Sequence, residues 1–506
     1  MSEPLKTDPQ AGKSWLRRTL AELLAKRKPG DVIAGAVGEG ARGVVVGKNI
    51  IQIGTFVIPT LPVVLILLVL VGLVVGGAAT FLGPGQMTGL FNVAVAEFGQ
   101  LDADGQVHPS KDGQLLSEWI FRGLQEEYKG LPREFAAQIW HDSLGLTQKR
   151  TRIGIISGRT PEERQRVAMK LADRINAHVV IYGNLDVDQS PASFIPEFYV
   201  SPLAGQADEI IGAHQLGTPI TVELPIDLRN PVTSLALNAP LSVRAAVLVQ
   251  FTIGLMYDLA NQPQKAYDVF RKMETTLTGW ERTEGKEILY LFIGREAHLL
   301  KREDEAVEAY ESALDINPNY ARAYIGLGNI HYERAKQLPA DKLLASGELE
   351  QAIDQYRKAV EVAPSSPGAV IEPKSRLALA LPLRLMGEVQ LVQGDLDAAE
   401  PSLGEAITQT RMALTLMGED GGQEQYLASA YLILGAALHQ QAHIRLVRGD
   451  NAASKALFQQ ASAAYVQCAE YAGPLPLKRG GDLKPTCVQE NEAVRAVLAT
   501  FQSGGP

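Results

Sequence analysis

From Val57 to Leu82 the chain reads VIPTLPVVLILLVLVGLVVGGAATFL, 26 residues without a charged side chain, and the wider stretch Asn49 to Ala96 contains no Asp, Glu, Lys or Arg. At about 1.5 Å per residue a helix of that length covers roughly 39 Å, enough to cross a hydrocarbon core of about 30 Å with some tilt. A core helix this long ordinarily carries polar residues along one edge, so the segment reads as a transmembrane helix over residues 57–82. Its length and its distance from Met1 do not suit a cleaved signal peptide. Nine basic residues (Lys6, Lys13, Arg17, Arg18, Lys26, Arg27, Lys28, Arg42, Lys48) face five acidic ones (Glu3, Asp8, Glu22, Asp31, Glu39) before it, and 39 basic face 52 acidic after it. The positive-inside rule then predicts a single-pass protein of the cell (inner) membrane, with a cytoplasmic N-terminal tail and extracytoplasmic C-terminal domains.

The tail, residues 1–56, holds two features. Ser14 to Lys28 (SWLRRTLAELLAKRK) places Trp15, Leu16, Leu20, Leu23 and Leu24 at helical spacing among bases. Such a basic amphipathic helix suits an anionic leaflet; equally, its bases do no more than set topology. From Gly30 to Gly54, short Val/Ile clusters alternate with glycines, a pattern of brief β-segments joined by tight arcs. It ends in Ile51-Gln52-Ile53-Gly54, which resembles the core of the homotypic-interaction motifs of signalling amyloids. Alternating β-branched residues and a stackable Gln suit a cross-β ladder.

After Gly83-Pro84-Gly85, residues 85–230 read as a compact α/β domain. Strands are expected at Phe91–Phe98, Phe135–Trp140, Arg152–Ser157, His178–Leu185 and Phe194–Val200, with a helix over Leu115–Tyr128. A second helix starts at Thr160-Pro161-Glu162-Glu163, a cap, a first-turn proline and acids at the positive end of the dipole. Alternating strands and helices predict a partly parallel sheet. Val93-Ala94-Val95-Ala96-Glu97-Phe98 and Ala177-His178-Val179-Val180-Ile181-Tyr182-Gly183 resemble the strands of the TolB N-terminal, CsgG-like and FlgO-like domains of bacterial envelope proteins. That resemblance implies an extracytoplasmic binding or assembly domain without catalytic residues.

A joint from Pro225 to Pro240 leads into residues 241–471, helical throughout and repetitive. From Gly294, Ala306 follows at +12, Tyr310 at +16, Ala313 at +19 and Pro318 at +24. Gly254, Ala266 and Phe270 (with Tyr257) keep these offsets. So do Gly328, Ala352, Tyr356, Ala359 and Pro364 after a 12-residue insertion, and Gly387, Ala399, Leu403 and Ala406. Small residues where two helices cross, an aromatic plug and a terminating proline are similar to the tetratricopeptide (TPR) pattern. A fifth helical pair, about Gln423 to Tyr471, departs from this spacing and is expected to cap the array before the tail at 472–506. The insertion, Ala335–Gly347, is expected to project from one face.

The fold class is therefore mixed: one transmembrane helix, a small α/β domain and an all-α TPR solenoid. The expected function is a membrane-anchored scaffold or adaptor that takes a peptide or partner helix in the solenoid groove. Candidates for the gripping side chains are Gln250, Arg295, Arg322, Asn329 and Arg384. Two alternatives stand beside it, a transmembrane receptor assembling through Ile51–Gly54 and an envelope-assembly factor. An enzyme is disfavoured, because no phosphate-binding loop, nucleophile elbow or metalloprotease motif occurs. No cofactor is expected. The net charge of -9 disfavours nucleic acid, while self-association stays open. His439 and His443 share a helix face, but with no nearby carboxylate or Cys pattern no metal is expected. Cys468 and Cys487, the only cysteines, form a disulfide if the array is extracytoplasmic, or remain two buried thiols.

Overall fold

The computed structural model describes residues 45–47, 50–53, 56–59, 85–130, 136–141, 153–188, 191–201, 210–226, 239–276, 285–366, 371–418, 424–473 and 483–501. The chain divides into two units, 1–83 and 84–506.

In the first unit β1 (Val45–Gly47), β2 (Ile50–Ile53) and β3 (Phe56–Pro59) form an antiparallel three-stranded sheet. Val45 pairs with Gln52, and Ile51 with Ile58. The clusters at Val45–Val46 and Ile50–Ile53 thus lie in strands, those at Val32–Ile33 and Val37 lie outside the described residues, and Ile51-Gln52-Ile53 is on the central strand with both backbone edges occupied. Val57, Ile58 and Pro59, expected to open the membrane helix, are in strand β3. Two β-branched residues favour extended backbone there, and Pro59, paired with Ile50, sits at the end of an edge strand, where proline is tolerated. Residues 60–82 of the expected span, the amphipathic stretch 14–28 and Gly54 lie outside the described residues.

The second unit opens on a sheet of order β10-β9-β8-β4-β7. β4 (Phe91–Val95) pairs in parallel with β7 (Ala137–His141) and with β8 (Val179–Asp186). β9 (Ala192–Val200) is antiparallel to β8, and β10 (Gly212–Gln215) and β11 (Ile220–Val222) are antiparallel to β9. A short hairpin, β5 (Gly99–Leu101) and β6 (Val107–Pro109), extends β8. Of the strand expected at Arg152–Ser157, only one bridge, Glu97 to Ile155, forms among the described residues.

Alternation along the strands decides the layers. Ala94, Ala96, Val180, Tyr182 and Tyr199 bury against α2 (Pro161–Ile175). Val93, Val95, Ile181 and Phe198 face the other way, onto Leu116, Ile120 and Leu124 of α1 (Lys111–Lys129). As the capping signal implies, Thr160 accepts a hydrogen bond from the Glu163 N–H, and Asn176 closes α2 in the left-handed conformation.

The remaining helices pair off: α3 (Ala239–Leu259) with α4 (Pro263–Thr276), and α5 (Lys286–Leu299) with α6 (Glu303–Ile316). Next come α7 (Ala321–Lys336) with α9 (Glu348–Val362), α10 (Ile371–Val392) with α11 (Leu396–Met417), and α12 (Glu424–Val447) with α13 (Asn451–Ala472). α14 (Leu483–Thr500) closes the series on α13. The insertion forms α8 (Ala340–Leu343), and Leu343 packs with Ala335, Leu349 and Val389 of α10. It is therefore anchored to the next pair through Leu343, while Lys336, Gln337, Pro339, Lys342, Ala345 and Ser346 are exposed as expected of a projecting insertion.

Among the described residues α3 is the helix long and apolar enough to cross a membrane. Its composition has another cause, for Leu248, Phe251, Leu255 and Met256 are buried in the core that the sheet shares with α4 and α5. The Phe251 ring lies 6.0 Å from Phe198 of the sheet and 5.1 Å from Phe292 of α5. One continuous core joins the sheet to the first repeats.

Candidate protein-binding face

Three repeats close by setting a glycine against a ring, and a fourth sets one against a leucine. A Cβ on Gly254 would stand 2.3 Å from the Phe270 ring, one on Gly294 2.8 Å from Tyr310, and one on Gly328 2.5 Å from Tyr356; at Gly387 it would meet Leu403 at 2.6 Å. Ala266, Ala306, Ala313, Ala352, Ala359, Ala399 and Ala406 are buried where the helices cross. Tyr257 is half-buried, with the Lys265 ammonium 5.6 Å over its ring. Pro318 follows the end of α6 at Asn317, and Pro364 lies in the 3-10 turn Ala363–Ser365.

The fifth pair, α12 and α13, keeps the same offsets once its anchor is taken as Ala442. Ser454 at +12, Phe458 at +16 and Ala461 at +19 are all buried, and the Ser454 hydroxyl donates to the Ala442 carbonyl at 2.9 Å. The expected departure from spacing is therefore corrected. Alanine and serine replace the usual glycine and alanine, so a search anchored on glycine passes over the pair.

The first helices of successive pairs present one face, and from it three basic side chains converge on residues Ile210–Thr218 of the α/β unit. Arg322 of α7 donates from Nη1 to the Ile211 carbonyl at 2.9 Å and from Nη2 to the Ala213 carbonyl at 3.2 Å. Lys374 of α10 donates to the Ile211 carbonyl at 2.8 Å, and Arg244 of α3 reaches the carbonyls of Leu216 and Thr218. All three are buried. On the far side of the segment β10 pairs with β9, and the Ala213 N–H donates to Gln165 Oε1. Gly212, at φ +116°, lets the Arg322 guanidinium approach where a Cβ would stand 3.0 Å from it.

His214 lies inside this clasp, its ring 4.9 Å from that of Phe198. Burial, and then the positive charge of Arg322, push its pKa well below the usual imidazole range. The neutral ring's Nε2 bonds the Ile210 carbonyl at 2.7 Å, which assigns the proton to that nitrogen.

The gripping residues expected from sequence are thus distributed differently. Arg322 holds the protein's own backbone, and Arg295 is buried in an ion pair with Asp258 at 3.3 Å. Asn329 accepts from the Tyr356 hydroxyl at 2.7 Å, Arg384 pairs with Glu388 at 2.6 Å, and Gln250 is half-buried on α3. Lys374 and Arg244 were not among the candidates. Their acceptor carbonyls are 163 and 28 residues away, and no local spacing reports them.

Cys468 on α13 and Cys487 on α14 are bonded, with their Cα atoms 5.9 Å apart and a sequence separation of 19. A loop of this size is expected to contribute about 3 kcal/mol. Neither sulfur should react with a maleimide in the folded, non-reduced protein, and both should react after reduction. Full labelling without reductant would disprove the bond.

The TPR repeat family model matches residues 294–334. Among solved structures, the chain is similar to TTC0263, a thermophilic TPR protein of Thermus thermophilus, at 18% identity over 48% of this chain and 96% of that one, with a TM-score of 0.28. BtubC from P. vanneervenii shows 18% identity over 48% and 88%, with a TM-score of 0.31. PilW, a type IV pilus biogenesis factor, shows 16% identity over 42% and 91%, with a TM-score of 0.22. No curated protein matches the chain. The array is a TPR-like solenoid with a small sheet region, and repeats of this kind are protein-interaction modules.

Proposed function

We propose that this protein is a membrane-tethered scaffold. The span lies within residues 57–82, the tail is cytoplasmic, and the α/β unit with its repeat array binds other proteins on the extracytoplasmic side. One observation carries the reading. The first-helix face of the array already holds main chain of residues 211–218 through Arg244, Arg322 and Lys374, each gripping carbonyls. A face built this way accepts peptide main chain with little regard to sequence, as adaptors require. The Cys468–Cys487 bond supports an oxidising compartment for the array, and the uncharged stretch 49–96 supports the anchor. The α/β unit adds a binding domain clamped to the array.

Intact cells treated with a membrane-impermeant amine-reactive crosslinker test this reading. Lys301, exposed at the turn between α5 and α6, should react before lysis, and foreign peptides should be joined to residues 241–471. Reaction of Lys301 only after lysis would reverse the orientation. Self-links alone would replace the adaptor with a self-assembling protein.

A further inference from the structure

His439 and His443 of α12 stand four residues apart with Nε2 atoms 3.2 Å from one another. Two metal–nitrogen bonds of about 2.0–2.1 Å at a tetrahedral angle require nitrogens roughly 3.3 Å apart, so the pair already has the bite of a chelate. A carboxylate sits behind it. Glu490 Oε2 of α14 lies 3.9 Å from His439 Nδ1, the nitrogen turned away from the partner ring. At that separation the carboxylate is a neighbouring charge and not a hydrogen-bond acceptor of the ring. Phe458 presents to both rings edge-on, at 5.7 and 5.2 Å, and restricts their rotation. Burial lowers both imidazole pKa values, that of His439 to about 4, with His443 adding to the effect.

We propose that His439 and His443 form a two-nitrogen anchor for a divalent transition ion that prefers imidazole, Cu2+ binding most tightly and Ni2+ and Zn2+ less so. Among the described residues no third His, Cys, Asp or Glu converges with them. The ion's other positions are left to water or to a donor from a bound protein. The sequence shows the four-residue spacing of the two histidines but not the close approach of their Nε2 atoms.

The test is titration of the metal-stripped full chain in detergent with CuCl2, followed by electron paramagnetic resonance. One saturable site with coupling to two nitrogens is expected. It should disappear in His439→Ala and, separately, in His443→Ala. Folding of each variant is checked by its helical circular dichroism. Absence of a saturable site overturns the proposal: the two rings then share one N–H···N hydrogen bond. A site whose spectrum is unchanged in both alanine variants overturns it too, the copper being adventitious and bound elsewhere.

Discussion

Arg164→Met is expected to destabilise the α/β unit by about 3–5 kcal/mol, the usual consequence of removing one partner of a buried ion pair. Arg164 on α2 donates from Nε and Nη2 to the two oxygens of Glu197 on β9, at 2.9 and 2.7 Å. The side chains are 8% and 5% exposed, so water cannot take over the abandoned carboxylate. Tyr182 lies beside it on β8, its hydroxyl pKa pushed well above the ordinary value by burial and by the Glu197 charge. Without Arg164 that charge would have no cation to balance it between two strands.

Two measurements make the claim specific. Hydrogen exchange of the β8–β9 ladder, where Tyr182 pairs with Glu197, should accelerate in Arg164→Met. The double variant Arg164→Met/Glu197→Met should recover most of the loss, since an apolar pair of similar volume is often neutral or stabilising. A cost below about 1 kcal/mol for the single variant, the level of a surface pair, would mean that Glu197 finds solvent.

Neither Arg164 nor Glu197 stands out in the sequence. Arg164 lies in an ordinary amphipathic helix start, and Glu197 interrupts a strand in a place where solvent exposure is the natural expectation. What was legible was whatever the chain encodes locally. Thr160-Pro161-Glu162-Glu163 marks the start of α2, because the capping hydroxyl and the N–H that donates to it are three residues apart. The repeats were legible because Gly294, Ala306 and Tyr310 meet within one helical hairpin, and their offsets recur. Strands β8 and β9 carry enough β-branched and aromatic residues to declare themselves.

The short strands did not. Gly212–Gln215 and Gly99–Leu101 have neither alternation nor β-branched runs, and they are strands because β9 and β8 supply ladders for them. α1 begins at Lys111, four residues before the expected start, because Ser110 caps it through the Gly113 N–H. The binding face was least legible of all. Spacing puts Arg322 on a first helix, where a ligand is expected, and the groups it holds are the carbonyls of Ile211 and Ala213 of the same chain. Sequence spacing can place a side chain on a helix face, but it cannot reveal that a distant segment already occupies that face.

The Tyr310 ring offers the sharpest test of how the array is held together. It stands between two glycines, since a Cβ on Gly294 would lie 2.8 Å from it and one on Gly326 2.4 Å. Tyr310→Ala should cost about 3–5 kcal/mol, the upper range for aromatic truncation, because neither flank carries a side chain that can relax into the cavity. Gly326→Leu alone should cost about 1–3 kcal/mol or more by overpacking against the ring. Combined, the two should cost less than their sum, as the new leucine enters the space the ring has left. Repeats couple only to their neighbours, so hydrogen exchange in Tyr310→Ala should rise in α5, α6 and α7 and stay near its original level in α12 and α13. Equal loss of protection across α3 to α13 would show that the array unfolds as one block. Strict additivity of the two substitutions would show that Tyr310 does not fill the space beside Gly326.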